Sequence, residues 1–281
     1  MKTSATHPPP FDSLADSFDD ELPDSRLLRK RIWHHLPDYL NNCRHLLELG
    51  CGTGVDALQF AERGIKVTAT DSSPKMLSKL REKAGRHPQG VYITPRLLDM
   101  NHLPSARDFI AEIESSPEGS ALRYDVVFTN FGAINCVGDL NKLAGFLWDA
   151  LNENGYFIAV VMNRCCPIEI AYHLLRLQPK KAFRRFTDGR PVSLGNGESV
   201  EVWYPTPRAF SRQCTPYFTR VATYGVGVFL PPPYLTGKIE QKERLQSALF
   251  RHESRIADLY PATVMSDLYL IVLQKASGKK D

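Results

Sequence analysis

The chain predicts an α/β fold, a doubly wound and largely parallel sheet with helices on both faces. Three observations carry that expectation. Short apolar runs alternate with amphipathic stretches from Arg44 to about Gln274. A glycine cluster, Gly50-Cys51-Gly52-Thr53-Gly54, follows the first apolar run directly. The second and third runs each close on an acid, Asp71 and Asp99.

The elements follow in order. His45 to Leu49 reads as a buried strand ending at the glycines. Val55 to Arg63 reads as a helix through Leu58, Phe60 and Ala61. Ile65 to Thr70, rich in β-branched residues, is a second strand. Ser73-Pro74 starts a helix, with Pro at an allowed early position, that runs through Met76, Leu77 and Leu80. Val91 to Leu98 is a third strand, Ala106 to Glu114 a helix, and Tyr124 to Thr129 a fourth strand. Leu140 to Leu151 is a helix and Gly155 to Met162 a fifth strand.

The rhythm then breaks. Cys166 to Arg185 looks helical although Pro179 interrupts it, and Val192 to Tyr204 looks like a hairpin around Gly195-Asn196-Gly197. Phe218 to Leu230 is strand-like and runs into Pro231-Pro232-Pro233. A polar helix, Lys238 to Leu259, precedes a last strand, Asp267 to Gln274. Phe11, Leu14, Phe18 and Leu22 stand among acids and serines and read as an amphipathic arm. We therefore expect an arm over residues 1–25 and one domain over 26–281, with an acceptor-binding insertion at about 163–216.

Composition narrows the function. With 281 residues, 43% hydrophobic and 23% charged, the chain falls in the globular range, which excludes wholesale disorder. No apolar run reaches the roughly 18 residues of a membrane-spanning helix. MKTSATHPPP lacks the apolar core of a secretory signal. A net charge of +4 is mild for a nucleic-acid binder. The six cysteines form no C-x-x-C pair, so no metal site is expected and they read as reduced thiols of a cytoplasmic protein.

The glycine turn is the chemical signal. It lets a ligand approach bare backbone beside a helix N-terminus. Asp71 lies where an acid accepts from ribose hydroxyls. A phosphate-binding loop would need Gly-Lys-Ser/Thr, which is absent. The frame Gly52-Thr53-Gly54-Val55-Asp56-Ala57 satisfies a loose dinucleotide fingerprint, but it leaves Gly50 without a role. Glu48, just before the turn, repels a pyrophosphate and suits a cationic ligand.

Glu48-Leu49-Gly50-Cys51-Gly52-Thr53-Gly54 closely resembles the first motif of class I S-adenosylmethionine-dependent methyltransferases. Asp71-Ser72-Ser73-Pro74-Lys75-Met76-Leu77, Leu97-Leu98-Asp99-Met100 and Tyr124-Asp125-Val126-Val127-Phe128 resemble the segments that follow in that family. Phe11 to Asp19 resembles the arm that often closes over the cofactor. The likeness covers roughly Phe11 to Met162. It implies a Rossmann-like seven-stranded sheet with the last strand antiparallel, an acceptor-binding insertion between strands five and six, and S-adenosyl-L-methionine as cofactor. Residue by residue, it implies that Gly50, Cys51 and Gly52 line the methionine part, beside Glu48. Asp71 holds the ribose, Ser72 and Met76 flank the adenosine, and Asp99 accepts from the adenine amino group beside Met100. Asn130 begins the loop below the sulfonium. Phe18 stands where the family arm often has Tyr, so it offers a lid without a hydroxyl.

The resemblance is nearly silent on the acceptor. The loop Thr129 to Cys136 carries Asn130-Phe131-Gly132, not the Asn/Asp-Pro-Pro-aromatic of amino-directed nucleic-acid methyltransferases. Glu169 and His173, four apart on one helix face, form a candidate base pair. Asn135, Tyr172, Trp203 and Tyr204 are candidate acceptor contacts, and His34, His35 and His102 are weaker candidates. The expected acceptor is a small organic molecule, aromatic or acidic, methylated on nitrogen or oxygen in a mostly closed cavity beside Asn130 and Glu169. Arg176, Lys180, Lys181, Arg184, Arg185 and Arg190 face only Asp188 in the insertion. Most simply that run is a solvated face, but it leaves open an acidic acceptor, an RNA or protein acceptor, or a membrane surface. A non-catalytic binding module is the remaining alternative; intact Gly50, Gly52, Asp71 and Asp99 argue against it.

Overall fold

The computed structural model describes residues 9–21, 26–113, 123–194, 197–230, 232 and 243–278. Seven strands form one sheet: β1 (His45–Leu49), β2 (Lys66–Asp71), β3 (Ile93–Leu97), β4 (Tyr124–Thr129), β5 (Leu151–Met162), β8 (Phe218–Val226) and β9 (Leu268–Lys275). Their order is β3-β2-β1-β4-β5-β9-β8. The first five are parallel, and β9 runs antiparallel to both β5 and β8. The expected seven-stranded sheet with an antiparallel last strand is the one observed.

Both faces are buried, which is why the strands read as near-continuous apolar runs. Side chains alternate between two cores with the period of the pleat. Leu47 and Leu49 of β1, with Tyr269, Ile271 and Leu273 of β9, enter one core. Leu46 of β1, with Leu268, Leu270 and Val272 of β9, enters the other. The first core is closed by α6 (Ala106–Ile113), α7 (Leu140–Ala150) and α10 (Pro207–Gln213), through Phe109, Leu147 and Phe210. The second is closed by α2 (Arg26–His35), α4 (Val55–Ala61) and α5 (Pro74–Arg86), through Ile32, Phe60 and Leu80. Helix starts follow capping chemistry. The side chains of Ser73 and Asp139 accept from the amides of Met76 and Lys142, at 3.1 and 2.9 Å.

Several elements depart from expectation. The helix predicted over Cys166 to Arg185 splits into α8 (Pro167–Leu175), α9 (Pro179–Ala182) and a 3-10 turn at Arg184–Phe186. Leu177 takes a left-handed conformation (φ 57°) between the two helices, and Pro179 can only start the second. The hairpin forms as an antiparallel ribbon of β6 (Arg190–Ser193) and β7 (Ser199–Val202), outside the main sheet. Its turn residues Gly195 and Asn196 lie outside the described residues, as do Leu22, Glu114, Pro231, Pro233 and 238–242. The polar helix is described from Glu243 to Ile256 (α11). Helices α2, α3 (Pro37–Leu40) and α10 were not anticipated. In α2 the apolar stripe is only Leu28 and Ile32, hidden among bases.

A buried carboxylate ties helix α11 to the end of β8. The carboxylate of Glu253 accepts from the amides of Gly227, Val228 and Phe229 at 2.7 to 3.1 Å, just past the end of β8. Glu253→Ala strands those amides, each at about 1–3 kcal/mol. We expect at least about 3 kcal/mol lost in urea unfolding; a loss under about 1 kcal/mol would mean that α11 docks by other means.

Candidate functional site

The glycine turn at the carboxyl end of β1 is pressed between two neighbours. Gly50 (φ 64°) would place a Cβ 2.5 Å from Ala133 Cβ, and Gly54 (φ 84°) would place one 2.1 Å from Leu80 Cδ1. Only glycine satisfies both the backbone and the space. The amide of Cys51 donates to Thr70 O at 2.8 Å, which ties the turn to β2.

Two acids flank this turn. Asp71, 8% exposed, accepts from the amides of Gly52 and Ser73, each at 2.9 Å. Burial pushes its pKa up against those backbone bonds. Glu48 is 2% exposed, and burial, then the neighbouring Asp56, pushes its carboxyl well above the usual range. Its Oε2 has no hydrogen-bond partner among the described residues. A buried carboxyl left so is costly, and a cationic ligand at the turn would offset that cost. The two carboxyls, as acceptors, thus fit a ligand carrying both hydroxyls and a positive charge.

The remaining expected cofactor residues gather at the same edge. Met100 Cε lies 3.7 Å from where a Gly50 Cβ would stand. Asp99 is half-exposed; it accepts from the Asn101 amide at 2.9 Å and lies 2.7 Å from His102 Nδ1. Met76 is buried at the start of α5, and Ser72 is half-buried beside Asp71. Cys51 is buried within the turn, and burial raises its pKa well above the usual value.

A further cluster escaped the sequence reading. Asp56 accepts from Trp33 Nε1 at 2.9 Å and from Asn130 Nδ2 at 2.8 Å, and it pairs with Arg29. The Arg29 guanidinium lies 4.7 Å over the ring of Phe131. Helix α2 therefore brings a cation to the loop after β4, near Glu48. The amide of Asn130 is spent inside this cluster, its Oδ1 accepting from the Phe131 amide. The signal in sequence was the acid at Asp56 in the first turn of α4, where it would repel a pyrophosphate.

The arm is strapped across the turn. Phe18 Cε1 lies 3.3 Å from where a Gly52 Cβ would stand, so the ring covers the glycine. Asp12 binds Ser73 Oγ and accepts from the Lys75 amide at 3.3 Å. Asp16 pairs with Lys79 at 2.7 Å. Asp19 pairs with Lys83 and accepts from Thr53 Oγ1 at 2.6 Å. The helix partners recur every four residues, on one face of α5.

The expected acceptor residues divide. Trp203 lines a cleft of about 370 Å³ with Val137, Leu140, Arg164, Thr206 and Arg212. That volume suits a small molecule. The cleft is not beside Asn130 and Glu169, where the cavity was expected, but between the loop after β4, α7 and α10. Asn135 does not line it. It is 1% exposed, and its amide bonds the carbonyls of Met162 and Trp203 and the Met162 amide, locking β5 to the Trp203 segment. Tyr204 is buried under the Arg185 guanidinium, and Tyr172 is capped by Arg176.

The helical spacing of Glu169 and His173 does not pair them. Glu169 turns to Arg184, Nε at 2.7 Å, and to Arg185; His173 Nδ1 lies 3.2 Å from Gln178 Oε1. Arg185 also binds Asp267 Oδ1 at 2.7 Å and the carbonyls of Asn163 and Asp267. Cys166, Glu169 and Asp267 come close enough to serve as metal ligands, but Arg185 already bridges the two carboxylates. A guanidinium is the cation of this cluster. None of the helices among the described residues is long and apolar enough to cross a membrane.

Comparisons with known proteins agree with this geometry. Residues 46–155 match the family model described as a methyltransferase domain. The chain is 29% identical over 100 residues to human glycine N-methyltransferase, covering 35% of this chain and 29% of that protein. It is 36% identical over 56 residues to magnesium-protoporphyrin O-methyltransferase of Rhodobacter capsulatus, covering 20% and 25%. The chain thus spans less than a third of these curated relatives' length. The fold matches the CcbJ methyltransferase from Streptomyces caelestis at a TM-score of 0.59 and 20% identity, over 96% of this chain and 99% of that one. It also matches an S-adenosylmethionine-dependent methyltransferase from Mesorhizobium loti at 0.52 and 16%, over 88% and 97%.

The strap supplies a test. Lys79 holds the pKa of Asp16 below its ordinary value, and Lys83 and Thr53 do so for Asp19 against the effect of its partial burial. Lowered folded-state values mean that the strap is complete above the usual aspartate range and is lost as pH falls through them. Hydrogen exchange over residues 11–19 should accelerate several-fold in Asp16→Asn/Asp19→Asn and in high salt. Exchange unchanged in both would show that the arm is held by Phe18 and its apolar neighbours alone.

Proposed function

We propose that this chain, whose residues 46–155 match a methyltransferase domain and whose fold is that of a methyltransferase, is a class I S-adenosylmethionine-dependent methyltransferase that transfers a methyl group to nitrogen or oxygen of a small organic acceptor. The observation that carries the reading is the pair of buried acids, Glu48 and Asp71, on adjacent strands under one glycine turn.

S-adenosylmethionine supplies an electrophilic methyl group on a sulfonium. The residues around it bind, orient and exclude water. Asp71 accepts from the ribose hydroxyls, Asp99 and Met100 receive the adenine, and Glu48 faces the cationic end. Arg29, fixed by Asp56, offers a cation for a carboxylate near Asn130. Phe18 closes the turn against solvent.

On the acceptor side, the Trp203 cleft supports a flat or ring-bearing molecule, with Arg212 to receive an acidic substituent; Arg164 is already held there by Asp188, which lines the same cleft. The names of the relatives are those of enzymes acting on small molecules. Glu169 is neutralised by two guanidiniums, so we assign it to holding the segment after β5 and not to proton transfer. Catalysis then rests on alignment and dehydration, which suffice for a neutral amine or a phenolate. The rate should rise with pH through the acceptor's own pKa.

Titration with S-adenosylhomocysteine tests the premise. Asp71→Ala should weaken binding by about 1.5–3 kcal/mol, the range for a bond to a charged group. Asp71→Asn, which keeps an acceptor for the Ser73 amide, guards against simple unfolding. Full affinity in both variants would sink the assignment. Binding of NADH without S-adenosylhomocysteine would replace it with a dinucleotide site.

A further inference from the structure

One surface is used by nothing described so far. Between α8 and the 3-10 turn after α9, large apolar side chains point outward: Leu175 is 87% exposed, Leu177 90%, and Leu174, Phe183 and Phe186 are each about half exposed. They belong to a tight unit. The Leu177 amide donates to Leu174 O and the Gln178 amide to His173 O, each at 2.9 Å, and the rings of Phe183 and Phe186 pack 5.9 Å apart.

The unit is not loosely placed. Its underside carries buried Glu169 and Arg185, clamped to Asp267 at the start of β9 and to the Asn163 carbonyl beside β5. The same anchor that faces inward turns the leucines outward. Leu177 also has a left-handed backbone, which β-carbon sterics disfavour. Exposure and strain both count against a leucine here.

Charge selects the occupant. Arg176, Lys180, Lys181 and Arg190 are exposed around the apolar tips, and Arg184 is half-exposed. Asp188, the one acid between Ile170 and Gly197, is already paired with Arg164. Apolar tips ringed by long basic side chains match the headgroup boundary of an anionic bilayer, where leucine and phenylalanine enter the acyl edge and the bases reach the lipid phosphates. Nucleic acid would reward the bases but not the exposed leucines.

We propose that this face docks the protein peripherally on an anionic lipid surface. It does not depend on the catalytic reading. The segment follows β5 at the sheet edge that carries the glycine turn, so docking would also bring the site close to amphipathic acceptors held in the bilayer.

Flotation of the full chain with vesicles is the test. Wild type should float with equimolar phosphatidylcholine and phosphatidylglycerol but not with phosphatidylcholine alone, and high salt should weaken the binding. Leu175→Ser/Leu177→Ser and Lys180→Glu/Lys181→Glu should each lose at least about tenfold in partitioning. Both variants should keep the wild-type circular dichroism spectrum and thermal midpoint, which shows that they are folded. Failure of wild type to bind the anionic vesicles, or equal binding by the folded variants, overturns the proposal. So does a dimer, seen by sedimentation without vesicle binding, that Leu175→Ser/Leu177→Ser abolishes; the face would then belong to a second copy.

Discussion

Two missing side chains set the geometry of the site. A Cβ at Gly50 would strike Ala133, and one at Gly54 would strike Leu80. Without them, the end of β1 lies against the loop after β4 on one side and α5 on the other. That approach puts the Gly52 amide 2.9 Å from Asp71 and leaves Glu48 buried beneath the turn. Backbone polar groups become the lining, as a polar ligand held at close range requires.

Buried charge is handled in two ways in this fold. After β5, Glu169 and Asp267 are neutralised by Arg184 and Arg185, and the cluster is complete within the chain. Such a network holds a segment in one place because removing a single partner strands the others. At the glycine turn, Glu48 has Arg29 near enough to oppose its shift but not to bond it. The first cluster is closed on itself, and the second keeps an acceptor atom that none of the described residues satisfies. That contrast separates a structural carboxylate from a ligand-binding one more sharply than burial does, since both are nearly inaccessible.

The arm illustrates how weak contacts combine. Its acids meet α5 as exposed or half-exposed ion pairs, each of small value. Their spacing matches that of the helix, so they register the arm along α5 and set Phe18 over Gly52. A cover held in this way can be displaced without disturbing either core, which suits a site that must exchange its ligand.

How much was legible in the sequence depends on how local the cause was. The parallel sheet, its two faces and the turn follow from runs such as Leu46 to Leu49 and from glycines adjacent in the chain. The acids Asp71 and Asp99 sit at strand ends, where periodicity alone locates them. Helix α2 was missed because its stripe is two residues wide and needs β8 and the second core to be stable. Asp56 as the holder of Arg29 and Asn130 was missed because the partners lie 27 and 74 positions away and meet only when α2 and β4 flank α4. The spacing of Glu169 and His173 put them on one helix face, but not in each other's reach. Arg184 and Arg185, brought back by the turn at Leu177, hold the carboxylate first, because a guanidinium stays charged at any ordinary pH and an imidazole does not. Local pattern thus determined which elements form and where the backbone opens; the tertiary structure decided which charges meet, because that depends on distances no spacing in the sequence encodes.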